Sequence, residues 1–217
     1  MPTPEGPTLA LLRDQLLRYA EDLQQVLDHE RALESRYHDL DQLAHYDALT
    51  GLPNRLMLYN RLEVLLTPSR RPQDPFTVMF MDLDGFKKIN DTLGHAGGDL
   101  VLTTVAQRLQ ASVRDSDTVA RLGGDEFVII ARSLSGAQAI AAFCDKTIAM
   151  VCQPIDIGRH PLNIGISMGC AEFPRHGETI SELLEHADTA MYHAKTTGGS
   201  CFAIFDAGTP DNAQEVP

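Results

Sequence analysis

Apolar residues recur at alternating spacings of three and four between residues 9 and 40: Leu9, Leu12, Leu16, Tyr19, Leu23, Val26, Leu33, Tyr37 and Leu40, with Glu30 at one further stripe position. This is a heptad pattern, with Leu9, Leu16, Leu23, Glu30 and Tyr37 at a and Leu12, Tyr19, Val26, Leu33 and Leu40 at d. Sustained without an internal Gly or Pro, it predicts a long helix that needs a partner helix to cover its stripe. A parallel pair is favoured, because g-to-e contacts then set Arg36 near Asp41 and His29 near Glu34 of the second copy, each pair worth about a few tenths of a kcal/mol. Glu30 sets two carboxylates at the seam of such a pair. The alternative is a helix packed on its own globular domain.

From Asp47 the period changes. Phe76 to Met81 is a β-rich buried-type run that stops at Asp82, and Leu102, Val105, Leu109 and Val113 predict a helix over 99–113. Thr118 to Leu122 and Phe127 to Ala131 read as two strands around a four-residue turn, Gly123-Gly124-Asp125-Glu126. A helix through Ile140 to Val151, an extended segment over 162–173, a helix over 180–194 and a last strand over 201–205 follow. The expected organisation is a dimerisation helix at 1–46, a folded domain at 47–206 and a disordered tail at 207–217.

Composition narrows the function. With 18 Lys+Arg against 30 Asp+Glu, the formal net charge of −12 disfavours a nucleic-acid groove, which needs a basic face. If phosphates are handled, divalent cations must help. The longest apolar run is too short to cross a bilayer, and the amino terminus has no basic n-region, so no membrane contact and a cytoplasmic location are expected. Cys144, Cys152, Cys170 and Cys201 have no paired-ligand spacing and read as reduced packing residues.

Two places break the local pattern. A buried-type strand ends in Asp82-Leu83-Asp84, and Asp125 and Glu126 follow paired glycines at a hairpin tip. Each cluster alone reads first as turn and cap residues. Brought to one edge, the carboxylates would repel unless a cation intervened, and hard oxygen ligands suit Mg²⁺. The polar segment from Gly85 to Asp99 between them suits base reading or phosphate binding.

Together with Asp47-Ala-Leu-Thr-Gly-Leu-Pro-Asn-Arg55, Asp82-Leu-Asp-Gly-Phe-Lys-Lys-Ile-Asn-Asp91, Gly94-His95, Gly98-Asp99, Gly123-Gly-Asp-Glu-Phe127, Ser167-Met-Gly169 and Ala194-Lys195, these residues make the chain resemble the GGDEF family of diguanylate cyclases over about 47–205. The resemblance implies an α+β, palm-like fold like that of nucleotide cyclases and polymerases, a mostly antiparallel five-stranded sheet flanked by helices. It implies condensation of two GTP into cyclic di-GMP with release of two pyrophosphates, at a homodimer held by residues 9–40. It implies two Mg²⁺ ions per site, with Mn²⁺ as a substitute, held by Asp82, Asp125 and the Leu83 carbonyl, with Asp125 as general base.

By the same resemblance Asn90 and Asp99 bind guanine and so reject ATP, His95 contacts substrate, and Phe86, Lys87 and Lys195 meet the phosphates. Gly123 and Gly124 shape the turn, and Glu126 supports it. Arg55 is expected to pair with a carboxylate near the site. Arg114 and Asp117 match an inhibitory Arg-x-x-Asp site for cyclic di-GMP. One departure stands out: Gly198-Gly199-Ser200 replaces Gly-Arg-Asn, which removes a phosphate-facing arginine. The alternative function is a weak or silent module that senses cyclic di-GMP or GTP.

Overall fold

The computed structural model describes residues 7–67, 74–157 and 161–206, in two compact units, 1–44 and 45–217. In the first, α1 (Pro7–His45) is one unbroken helix with Pro7 in its first turn, where a missing N–H costs nothing. The stripe residues Leu12, Leu16, Tyr19, Leu23, Val26, Leu33, Tyr37 and Leu40 are 51–75% exposed, so the single chain leaves the predicted seam in solvent.

The second unit is built on β1 (Phe76–Asp84), the central strand of a five-stranded sheet. Around it lie β2 (Thr118–Gly123), β3 (Glu126–Arg132), β6 (Gly165–Phe173) and β7 (Phe202–Ile204). Their order is β2-β3-β1-β6-β7. All pairs are antiparallel except β6 with β7. Both faces are covered, which is why β1 runs nearly apolar from Phe76 to Met81 rather than alternating. Phe76, Val78 and Phe80 pack with Leu58 and Leu62 of α2 (Arg55–Leu66) and Leu183, Ala187 and Met191 of α5 (Ile180–Thr196). Met79, Met81 and Leu83 pack with Val101, Leu102, Val105 and Leu109 of α3 (Phe86–Ser112) and Ile140 and Cys144 of α4 (Ala137–Val151). A small hairpin, β4 (Ile155–Asp156) with β5 (Pro161–Leu162), completes the unit.

The elements differ from expectation in four places. β1 runs two residues past Asp82, because its ladder with β6 continues to Asp84↔Gly165. The polar segment after Gly85 is helical: α3 starts at Phe86 and breaks at Gly94 (φ 72°, ψ 175°) before resuming. The hairpin turn is two residues, Gly124 and Asp125, since Gly123 pairs with Glu126 across a register shift. The extended segment is divided, with β5 ending at Leu162 and β6 starting at Gly165. The expected tail lies outside the described residues. Cys144 and Cys170 are buried and unbridged, with Sγ atoms 3.4 Å apart.

Helix α5 lies unusually close to β6 at Gly169. A Cβ there would come within 2.0 Å of both the Ala187 carbonyl oxygen and the Met191 amide nitrogen. This approach brings the last turn of α5 against the end of β1.

Candidate active site

The site forms where β1 ends beside the β2–β3 turn. Register alone brings its acids together: Asp82 lies opposite Glu126 on β3 and opposite Ser167 on β6. Asp125 precedes Glu126 at a turn entered through Gly123 (φ 144°) and Gly124 (φ 53°), positive-φ conformations that favour glycine. The β1–β3 ladder stops at Asp82, so the Leu83 main chain has no β3 partner, while its side chain is buried in the core.

From the last turn of α5, Lys195 Nζ donates to Asp82 Oδ1 at 2.5 Å. Burial pushes this ammonium down, but the Asp82 hydrogen bond and the charges of Asp82, Asp125 and Asp84 reverse that, leaving it above its ordinary value. Burial and then the charge of Asp82 push Asp125 up, against its own backbone N–H, Lys195 and Arg121. Glu126 is raised by burial and by Asp188 on α5, with Arg55 opposing. Asp188 is raised by burial and by Asp82. The Arg55 charge therefore acts on Glu126.

The donor set fits a divalent cation. Asp82 and Asp125 offer hard carboxylate oxygens, and their repulsion adds to burial in raising Asp125. Among the described residues no three His, Cys, Asp or Glu side chains gather at one point. Two carboxylates with coordination left for main chain, water and phosphate is the arrangement Mg²⁺ takes at nucleotide sites.

Asp84, on the same side of β1, has a different fate. It accepts from Ser167 Oγ at 2.7 Å and from the Ser200 N–H and Oγ at 2.7 and 3.3 Å, tying the α5–β7 loop to the sheet. Gly199 (φ 71°) lies against it, and a Cβ there would sit 2.9 Å from Asp84 Oδ2.

The break at Gly94 folds the first turns of α3 back on the residues before Asp99. Asn90 is set against Gly98, where an added Cβ would lie 1.9 Å from Asn90 Oδ1. Asn90 is half-buried, and Lys87, His95 and Asp99 are exposed. The Phe86 ring is in the core, which leaves only its main chain for a ligand. Arg114 is exposed. The Asp117 carboxylate accepts from the N–H groups of Arg114 and Arg132, both at 3.0 Å, so it closes the α3–β2 turn. A groove of about 890 Å³ lies beside that turn, between α2 and the start of β1, with Arg61, Ser116, Thr118 and Arg132 in its walls.

The site also contains a residue the sequence reading passed over. Arg121 on β2 donates from Nε and Nη2 to the Gly124 carbonyl at 3.1 and 2.7 Å, and from Nη1 to Asp47 Oδ1 at 2.8 Å. Its available signal was an arginine inside an apolar strand, two residues before paired glycines. Burial raises Asp47, but hydrogen bonds from Thr50 and Arg121 outweigh it and hold the carboxyl below its ordinary value.

The family described as "Diguanylate cyclase, GGDEF domain" matches residues 44–201. The chain belongs to the GGDEF diguanylate cyclase family. Among curated relatives, the bifunctional diguanylate cyclase/cyclic di-GMP phosphodiesterase MucR of Pseudomonas aeruginosa is 47% identical over 177 residues, covering 82% of this chain and 26% of MucR. Diguanylate cyclase TpbB of the same species is 38% identical over 207 residues, covering 93% of this chain and 47% of TpbB. The chain thus spans about a quarter and about half of these relatives. The solved GGDEF domain of TpbB superposes with a TM-score of 0.69 at 37% identity, over 72% of this chain and 98% of that one. The GGDEF domain of DgcB from Caulobacter crescentus, solved in complex with c-di-GMP, gives a TM-score of 0.67 at 27% identity, over 74% and 95%. No described helix of this GGDEF chain is long and apolar enough to cross a membrane.

Proposed function

We propose that this chain is a diguanylate cyclase, with residues 47–206 as the catalytic domain and 1–46 as its dimerisation helix. The observation that carries the reading is the meeting of Asp82, Asp125 and Lys195 at one sheet end.

Asp82 and Asp125, with the Leu83 carbonyl, would hold Mg²⁺, for which Mn²⁺ can substitute; the bound ions neutralise the triphosphate and lower the pKa of the attacking hydroxyl. Lys195, whose charge burial does not extinguish, turns from Asp82 toward the phosphates when GTP binds, joined by the main chain around Phe86 and Lys87. Asp99 accepts from guanine N1 and N2, Asn90 takes the remaining edge, and His95 closes the substrate contact. A base lacking those donors forgoes these charge-assisted bonds, so GTP is preferred over ATP. Asp125 accepts the proton of a 3′-hydroxyl. That oxygen bonds to the α-phosphorus of the nucleotide on the partner copy, and pyrophosphate leaves; the second half-reaction repeats this with the two nucleotides' roles exchanged, releases a second pyrophosphate and closes the ring.

Each domain holds one GTP, so two must face each other, and the solvent-exposed stripe of α1 supplies the pairing. Arg114 and Asp117 are the proposed product-inhibition site: Arg114 is free to reach a phosphate or a guanine edge, and DgcB, a relative, was solved with c-di-GMP. Gly199 favours a second reading, a slow enzyme or a sensor of cyclic di-GMP or GTP, because the position that family members fill with arginine bears no cation.

Incubation of the full chain with GTP and Mg²⁺ tests the proposal. Chromatography should show cyclic di-GMP from the wild type and none from Asp82→Ala or Asp125→Ala. GTP binding without product in the wild type would leave the sensor reading standing.

A further inference from the structure

We propose that Arg121 is a positioning residue: it fixes the Gly124–Asp125 peptide, and so the Asp125 carboxylate, by bracing the hairpin turn against Asp47 in the segment that leads into the domain. The kinetic consequence rests on the cyclase reading, whereas the brace itself rests on geometry.

The turn needs external support. Gly123 and Gly124 both have positive φ, and glycine gives a backbone no stiffness of its own. The strand pairing is also irregular between Arg121 and Gly123. A turn built this way would wander, yet Asp125 must be held to within a fraction of an ångström for its role.

Arg121 supplies what the turn lacks. Two N–H groups of one planar fork converge on the Gly124 oxygen, and a third engages Asp47. The side chain is 10% exposed, so water competes weakly for these bonds, and the rigid fork loses little freedom in making them. The far end is anchored as well. Asp47 accepts from the Thr50 N–H at 2.9 Å and the Thr50 hydroxyl at 2.6 Å. The Arg121 N–H donates to the Pro53 carbonyl at 2.9 Å, and the Asp47 N–H to the Leu52 carbonyl at 2.8 Å. The loop over residues 47–53 and the turn are one hydrogen-bonded body, although 74 residues separate Asp47 from Arg121. A lysine at 121 would keep the charge and lose the fork.

The test uses the full chain with Arg121→Lys and Asp47→Asn, read by steady-state kinetics with GTP and by amide hydrogen exchange. Arg121→Lys should lower kcat by about 10²-fold with KM moved less than about threefold, since a displaced carboxylate impairs the transition state more than ground-state binding. Asp47→Asn, which touches neither metal nor nucleotide, should show the same split to a smaller degree. In both, the amides of Gly124, Asp125 and Glu126 should exchange faster while those of β1 do not change. A kcat within twofold of wild type, a loss confined to KM, or unchanged exchange at the turn would overturn the proposal. Should Arg121→Lys fail to fold, Asp47→Asn carries the same criteria. If the wild type makes no cyclic di-GMP, the cyclase reading fails, and the exchange measurement still decides the brace.

Discussion

Replacing Gly169 by alanine tests how the α5–β6 approach builds the site. Gly169 lies in an ordinary strand, so its requirement is space rather than backbone freedom. An added Cβ would meet the Ala187 oxygen and the Met191 nitrogen at 2.0 Å and the Ala190 carbonyl carbon at 2.7 Å, where unstrained contact begins at 3.4 Å. These are backbone atoms, which cannot rotate aside. The helix must retreat by the difference between 3.4 and 2.0 Å, about 1.4 Å, enough to forfeit more than half of the dispersion energy at the contacts it opens. Overpacking of this kind costs about 1–3 kcal/mol, and the upper end applies because backbone opposes backbone. For a domain of this size about 3 kcal/mol corresponds to a fall of roughly 6–12 °C in Tm. The same retreat draws Lys195 from Asp82, now 2.5 Å apart, so activity should also fall well below the melting temperature. Circular dichroism melts paired with initial rates at about 20 °C below the variant's Tm would measure both effects. A Tm within about 2 °C of wild type would refute the argument.

Three further outcomes are expected. Gly199→Ala should destabilise the fold by about 1–2 kcal/mol in urea titration, because alanine at φ 71° is strained and its Cβ meets Asp84. His176 accepts the Glu172 N–H through Nδ1, and burial, then Arg175, hold it below 6.5, with His186 adding and Glu172 and Asp206 opposing. The unfolded chain therefore takes up a proton first, stability is full above pH 6.5 and declines as pH falls through the folded value, and His176→Gln should flatten that decline in melts between about pH 7.5 and 5.5. Leu16→Asp with Leu23→Asp should abolish the proposed pairing through α1, each burial being worth about 1.5–3 kcal/mol. Sedimentation should then give a monomer, with the rate per chain dropping steeply on dilution, and an unchanged sedimentation coefficient would refute pairing through the stripe.

The sequence was most legible where one local rule governed. The α1 heptad, the apolar run of β1 and the paired glycines of the hairpin each followed from spacing or backbone chemistry, and the resemblance placed Asp82 and Asp125 at one edge, where register sets them. It was least legible where distant residues decide. Asp82 and Asp84 look alike in sequence, yet one meets Lys195 and the other is consumed by Ser167 and Ser200. The first turns of α3 carry too many polar residues to show a stripe. They form because Gly85 (φ 76°) turns the strand into the helix, while Phe86 and Ile89 reach the core. Arg121 was missed because its two partners lie on opposite sides of it in sequence, one of them a backbone carbonyl.

The position of β1 has a consequence for synthesis of the chain. Asp82 waits for an ammonium made 113 residues later, and Asp84 for a loop 116 residues on. On the ribosome the middle strand emerges before either neighbour, so its bare apolar faces pass through a period of exposure in which the chain is prone to aggregate. The meeting of Asp82 with Lys195 should therefore appear late and all at once, and a prematurely terminated product lacking α5 and β7 should have no assembled site.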